Sequence, residues 1–398
     1  MSRGPVHRPA LSADAEHNRR RLQQLLDATP GGTLHLPAGV HPLRGGLTVP
    51  GGWTLLGPPG GAGGPTAWLT VEPDRGAPDT PGGGNPADTP DDGGLAGAPG
   101  AGGGSDPVGA SGPSGGEQPL LWVVGSGVCI SDLGLRPAPS APGEHSGDLG
   151  TAVTVGRYLY PAEPEWIDNV EIRRVQVRRR PGDRAANCVA VMGAVRDLTV
   201  HDVAIEGGCT GLAVHWGAVG TGVEDIRGPS YHPHRLRISQ LRVRDAMEGF
   251  YLSSVHDVTV ADVCLSDVDI GFRLLPGDNT DRFHRAGGAV VGRRIEVRRV
   301  CVRWRGDKYG VRIAGWGRSE IDGTVSVLEY RDVAVRDCVI RRSAPTSATP
   351  ARSWGPVVVE SADTVTLHNV RVESGAVPAV GCCLLGAGTR GAPEPVTA

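Results

Sequence analysis

One spelling recurs down this chain: apolar, any, apolar, any, any, apolar, any, apolar. Its eight copies are Val128/Ile130/Leu133/Leu135, Val170/Ile172/Val175/Val177, Leu198/Val200/Val203/Ile205, Leu236/Ile238/Leu241/Val243, Val258/Val260/Val263/Leu265, Ile295/Val297/Val300/Val302, Val333/Val335/Cys338/Ile340 and Val365/Leu367/Val370/Val372. Alternate residues of a strand face one side. Two alternating pairs separated by a two-residue step therefore describe a strand bent at a corner, with both halves facing one interior.

Between the copies lie shorter apolar stretches, usually led by glycine: "TAVTVG", "CVAVMG", "TGLAVHWG", "GFYLSS", "GFRLLPG", "GVRIAGWG" and "GPVVVES". The unit is then three short strands and three turns, and its tightest repeat, Leu236 to Val258, steps by 22 residues. A period of this size with no helical component predicts stacked coils, a parallel β-helix. A β-sandwich of hairpins is disfavoured, because the spelling repeats in one direction and Asn-Gly or Asp-Gly turns do not join the repeating strands. The second corner position is Asp132, Asp202, Asp262, Asp337 or Asn369 in five coils. Asp and Asn tolerate left-handed backbone geometry. Arg174, Gln240 and Arg299 break the series, so a side-chain ladder at this corner is expected to be interrupted.

The coil pattern, the corner Asp/Asn and the opening "ATPGGTLHLPAGVHPLRGGLTVPGGWTLLG" resemble the right-handed parallel β-helix proteins of the pectin-lyase-like superfamily, over most of residues 11–385. The resemblance implies an all-β fold: a single-stranded right-handed parallel β-helix, a solenoid of about 8–10 coils with an N-terminal capping helix. That superfamily includes lyases, hydrolases, epimerases, phage tailspikes and non-catalytic members, so the fold does not name a reaction.

A solenoid grows by adding coils, so 398 residues are read as one domain. Residues 1–28 form a tail and the capping helix, 29–385 the β-helix, and 386–398 a C-terminal tail. The helix is expected over 12–28, with Ser12 as N-cap, Asp14 and Glu16 in the first turn, and Leu22, Leu25 and Leu26 as its apolar stripe. Residues 57–118 are a low-complexity insertion rich in Gly, Pro, Asp, Ala and Ser, where only "TAWLTVEP" reads as strand. A segment so poor in large apolar groups is expected to be mostly disordered. It carries eight acids and one base, net −7, which leaves the rest of a −3 chain mildly basic. That balance suits an anionic substrate and is far from a nucleic-acid signature.

No apolar stretch is long enough to span a membrane, and the first residues lack the core of a secretory signal. The eight cysteines show no CxxC spacing, and Cys129, Cys264, Cys301 and Cys338 sit at strand positions as small apolar residues. A cytoplasmic location is the expectation.

The repeat also serves as a ruler. The outward residues of successive short strands are Thr154, Ala190, Ala213 and His215, Tyr251 and Ser253, Arg273, Arg312, then Val358 and Glu360. A His, a Tyr and two Arg thus stand on four neighbouring rungs. Residues 215–235, 275–294 and 314–332 read as loops leaving the same strand, and loops on one face of a solenoid usually build its binding face. They bring Trp216, Tyr231, His232, His234, Asp278, Asp281, His284, Trp316, Arg318 and Glu320 toward one groove. Trp216 and Trp316 either stack on sugar rings or cover loop bases. Lys308 is the one lysine among 40 basic residues, in the turn before Arg312; it is either a chance surface residue or a titratable group.

This set fits removal of a proton next to a carboxylate, as in uronate lyases and C5-epimerases. Arg273 and Arg312 would clamp the carboxylate, and Tyr251, His215 or Lys308 would act as base, with Tyr251 or a histidine as acid. Glycoside hydrolysis needs two carboxylates; only Asp278 and Asp281, in "GDNTD", are candidates. No cofactor or metal is expected, since the column lacks the carboxylates of a calcium site and Tyr231–His234 is a weak zinc motif. The partner expected is a carbohydrate or another anionic small molecule. The alternatives are an intracellular tailoring isomerase or cyclase, and a non-catalytic carbohydrate-binding or assembly solenoid.

Overall fold

A computed structural model describes residues 4–61, 64–72, 118–140, 150–221, 225–276, 289–305, 309–321, 324–343, 356–360, 362–373 and 384–385. They form a parallel β-helix, as the repeat predicts. The eight-position copies become long strands, such as Ile167–Arg178, Val195–Glu206, His234–Arg244 and Val255–Val268, paired side by side in a 15-stranded sheet. The Gly-led stretches, including Val189–Met192, Thr210–His215, Glu248–Leu252, Ile270–Leu274 and Val311–Ala314, form a 10-stranded sheet on another side of the coil. Neighbours pair in parallel with equivalent residues in register, for example Ile172 with Val200, Val200 with Ile238 and Ile238 with Val260. All 32 apolar residues of the eight copies face one continuous core.

The corners are built from residues that adopt φ near +50 to +60°. The expected one is present in every copy: Asp132, Arg174, Asp202, Gln240, Asp262, Arg299, Asp337 and Asn369. A second corner, not anticipated, lies five residues earlier at Asn169, Asp197, Arg235, Asp257, Arg294, Asp332 and Thr364. Left-handed geometry costs a non-glycine residue about 1–2 kcal/mol. The ladder expected to break at Arg174 and Arg299 does not. Arg174 Nε lies 2.6 Å from Asp132 Oδ1, and Arg299 Nε lies 2.6 Å from Asp262 Oδ1. Asn369 Nδ2 donates to Asp337 Oδ1 at 2.7 Å. At the earlier corner Arg235 pairs with Asp197 and Arg294 with Asp257. Arg174 and Arg299 are thus the cationic partners of aspartates one coil away, whereas Gln240 forms no ion pair and Asp202 beside it is met by Arg242.

The leading glycines also have a stacking reason. Gly211, Gly249, Gly271 and Gly310 stand on successive rungs, and a Cβ on Gly249 or Gly271 would lie 2.5 or 2.1 Å from the carbonyl oxygen of the next glycine in the series. Helix α1 (Ala15–Ala28) closes one end, with Leu22 and Leu26 fully buried. Its N-cap is Asp14, whose Oδ1 accepts from His17 N at 2.9 Å, and not Ser12, whose hydroxyl accepts from Asp14 N.

The inserted segments hold more structure than loops. Within 57–118, Ala67–Val71 is a strand paired with Gly39–Leu43 and Leu133–Arg136, while 73–117 lie outside the described residues. The stretch 215–235 contains the antiparallel pair Gly217–Val219 and Arg227–Tyr231. The stretch 314–332 contains Trp316–Ile321, antiparallel to the start of Thr324–Arg342. The third stretch ends early, because a long strand begins at Ala289. Cys264 and Cys301 are exposed, not apolar filling; Cys338 is buried.

Candidate functional site

Thr154, Ala190, Ala213, Tyr251, Arg273, Arg312 and Val358 are successive register partners along the 10-stranded sheet. Parallel in-register stacking places them about 4.8 Å apart. Thr154, Ala190, Ala213 and Val358 are buried, so the column opens to solvent only around Tyr251, Arg273 and Arg312. His215 extends past Ala213 at the end of its strand, and its ring meets Tyr251 edge-on at 5.2 Å between centroids. On the other side of Tyr251 the Arg273 guanidinium lies 4.8 Å from the ring centre. One rung further, Arg312 lies 5.5 Å from the ring of Tyr309 and 3.2 Å from Glu360.

Glu248, a residue the spacing did not single out, organises this row. Its carboxylate is 3% exposed and takes two bonds from Arg273, Nε to Oε1 at 2.5 Å and Nη2 to Oε2 at 2.9 Å. Thr210 Oγ1 adds a bond to Oε2 at 3.3 Å. Burial opposes the Arg273 charge, but Glu248 more than offsets it and holds the guanidinium pKa well above its usual value. Arg273 is therefore a fixed, matched charge beside Tyr251. Burial raises the pKa of Tyr309, against the opposing pull of Arg273 and Arg312. Ser253 is fully buried beneath the row, where its carbonyl and that of Leu252 accept from the Tyr330 hydroxyl.

No family model matches the chain, and no curated protein matches it. Solved structures do. An endo-xylogalacturonan hydrolase from Aspergillus tubingensis superposes with a TM-score of 0.56 at 10% identity, covering 99% of this chain and 100% of that one. An alginate lyase from a Paenibacillus species gives 0.52 at 12% identity, covering 97% and 99%. A family 28 exopolygalacturonase from Yersinia enterocolitica gives 0.52 at 11% identity, covering 99% and 78%. The fold is that of the pectin-lyase-like right-handed parallel β-helix proteins.

On this β-helix the remaining candidates separate from the Tyr251 row. Trp216 is 1% exposed and packs on Tyr158 at 4.6 Å between centroids, so it covers a loop base and offers no face to a sugar. Tyr231 meets Tyr160 and Trp166 edge-on, and His234 meets Trp166. His232 bonds to Ser230 and to His256. These residues form a second cluster where the chain enters the long strands. Lys308, Asp278, Asp281 and His284 lie outside the described residues, as do the side chains of Trp316, Arg318 and Glu320. Among the described residues, no group of three or more His, Cys, Asp or Glu is placed to hold a metal ion, and no helix is long and apolar enough to cross a membrane.

A shallow groove of 1120 Å³ also runs across the 15-stranded sheet, over Glu171, Thr199, Arg237, Thr259 and Glu296. Its rims are the ion-paired corners, so its charges are largely matched within the protein. Ser230, His256 and Glu248 are candidate-site residues the sequence reading missed. His256 had a signal, since it occupies the position just before the left-handed corner residue Asp257. Glu248 had none, because a residue preceding a leading glycine follows no fixed pattern in this chain.

Proposed function

We propose that the protein is a carbohydrate-active β-helix enzyme that removes the proton next to a carboxylate on an anionic sugar or related polyhydroxy acid, as a lyase or C5-epimerase. The reading is carried by the contact of Tyr251 with His215 on one side and Arg273 on the other. A phenol serves as base in such chemistry only where neighbouring positive charge favours its ionised form. Arg273 places positive charge 4.8 Å from the ring, partly offset by the Glu248 carboxylate that holds it away from substrate. Carboxylate binding falls to Arg312, whose 3.2 Å bond to Glu360 is longer than the bonds that tie Arg273 to Glu248. His215 then exchanges the proton with solvent or with the leaving oxygen. The alginate lyase that shares the fold is consistent with this class of chemistry.

The test is incubation with polyuronates and free sugar acids in deuterium oxide. A lyase produces unsaturated uronate ends, read by ultraviolet absorbance. An epimerase produces inverted residues carrying deuterium at C5, read by proton NMR. Saccharide binding with neither signal would sink the catalytic reading in favour of a non-catalytic solenoid.

A further inference from the structure

We propose that Ser230, His232 and His256 form a second catalytic centre, a serine-dependent ester hydrolase that acts on a carboxylic ester carried by an anionic molecule. The proposal is independent of the Tyr251 row. Ser230 and His232 flank Tyr231 at the end of strand Arg227–Tyr231, and their side chains meet. Ser230 Oγ lies 2.8 Å from His232 Nε2, and His232 Nδ1 lies 2.9 Å from His256 Nε2. The hydroxyl, the base and the group that orients the base are thus in one hydrogen-bonded line, from two coils of the solenoid. The second ring is neutral: burial first, and then Arg293, push His256 down to about 4. A neutral His256 that accepts at Nε2 keeps the proton of His232 on Nδ1. That leaves His232 Nε2 free to accept from the serine. His256 Nδ1 is buried without a hydrogen-bond partner, a cost that calls for a functional account. His234 and His256 are register partners, continued by Arg196 on one side and Arg293 on the other. Arg293 is exposed and has no ion-pair partner among the described residues. It supplies the attraction for an anionic carrier.

In the reaction Ser230 Oγ attacks the ester carbonyl carbon while its proton passes to His232 Nε2. That proton then goes to the departing alcohol oxygen as the carbon–oxygen bond breaks, which leaves an acyl-serine. Water, deprotonated by the same nitrogen, releases the acid and restores the hydroxyl, so one ester and one water yield one acid and one alcohol. His256 is a positioning residue.

The test treats the full chain with a fluorophosphonate probe and maps the label by mass spectrometry, with 4-nitrophenyl acetate and an acetylated polyuronate as substrates. Labelling at Ser230 is expected, together with a fall in ester turnover of about 10³-fold in Ser230→Ala and His232→Ala. His256→Gln, whose amide oxygen still accepts, keeps the label, and His256→Leu loses it with an unchanged circular dichroism spectrum. Absence of label on Ser230 in the folded chain overturns the proposal, as does labelling that survives His232→Ala unchanged.

Discussion

Arg273 and Glu248 are bound to each other at two points, with a carboxylate that is almost wholly shielded from water. This matters for any attempt to find the active residues by mutation. Arg273→Ala strands a buried anion, which costs about 3–5 kcal/mol. Urea unfolding is expected to show that loss, whereas Arg273→Met combined with Glu248→Leu loses much less. A drop in activity in the single mutant then reports folding as well as chemistry.

Tyr251→Phe is the cleaner probe, because it removes one hydroxyl and keeps the ring that His215 and Arg273 contact. If Tyr251 moves the proton, kcat falls by about 10²–10⁴-fold with little change in KM. Arg312→Lys is expected to do the opposite, raising KM more than it lowers kcat, because Lys lacks the planar fork that grips a carboxylate. Steady-state kinetics on the substrate found by the polyuronate screen distinguishes the two.

Acid is expected to destabilise the fold in two stages. His256 titrates near 6.5 when unfolded and at about 4 when folded, so the unfolded chain takes up its proton first. Stability from this group is complete above the unfolded value and is lost as the pH falls toward 4, on the order of 3 kcal/mol. After burial, Arg293, Asp257, His234 and Arg294 all act on it, Asp257 alone in the opposite direction. The second stage belongs to Asp132, Asp168, Asp197, Asp257 and Asp262, which arginine partners hold below the usual carboxylate range. Their contribution is present above the unfolded carboxylate value and disappears as the pH drops through the lowered one. Thermal midpoints measured from pH 7 to pH 3 should show both steps. His256→Gln should remove only the first.

Cys264 and Cys301 are register partners on neighbouring coils and both face solvent. Their Cα atoms are about 4.8 Å apart, inside the range a disulfide spans. Incubation with oxidised glutathione is expected to join them, seen as a cross-linked peptide by mass spectrometry. Cys338, which faces the core one coil on, should remain a thiol. A link from Cys264 or Cys301 to Cys338 instead would mean that the coils are not stacked in this register.

Much of the fold was legible because its contacts repeat. Once coils stack in parallel, counting from Leu198 to Leu236 to Val258 locates every equivalent residue, including the row of Tyr251, Arg273 and Arg312. What could not be counted depends on the neighbouring coil. Arg174 reads as an intruder among aspartates until Asp132 is placed beside it. Trp216 reads as a sugar platform until Tyr158 covers it. Glu248 lacks any spacing signal, yet it holds Arg273 at two points.

The corner ladders carry one more consequence. Both corners are acidic in the coils of Asp197/Asp202, Asp257/Asp262 and Asp332/Asp337, and neither is acidic in the coils between them. Removing one coil would bring two acidic coils face to face, Asp197 against Asp257 and Asp202 against Asp262. Removing two would restore every pairing. The solenoid thus has a parity: its smallest interchangeable piece is a pair of coils, and a shortened or lengthened version of this protein should keep its ladders only when the change is even.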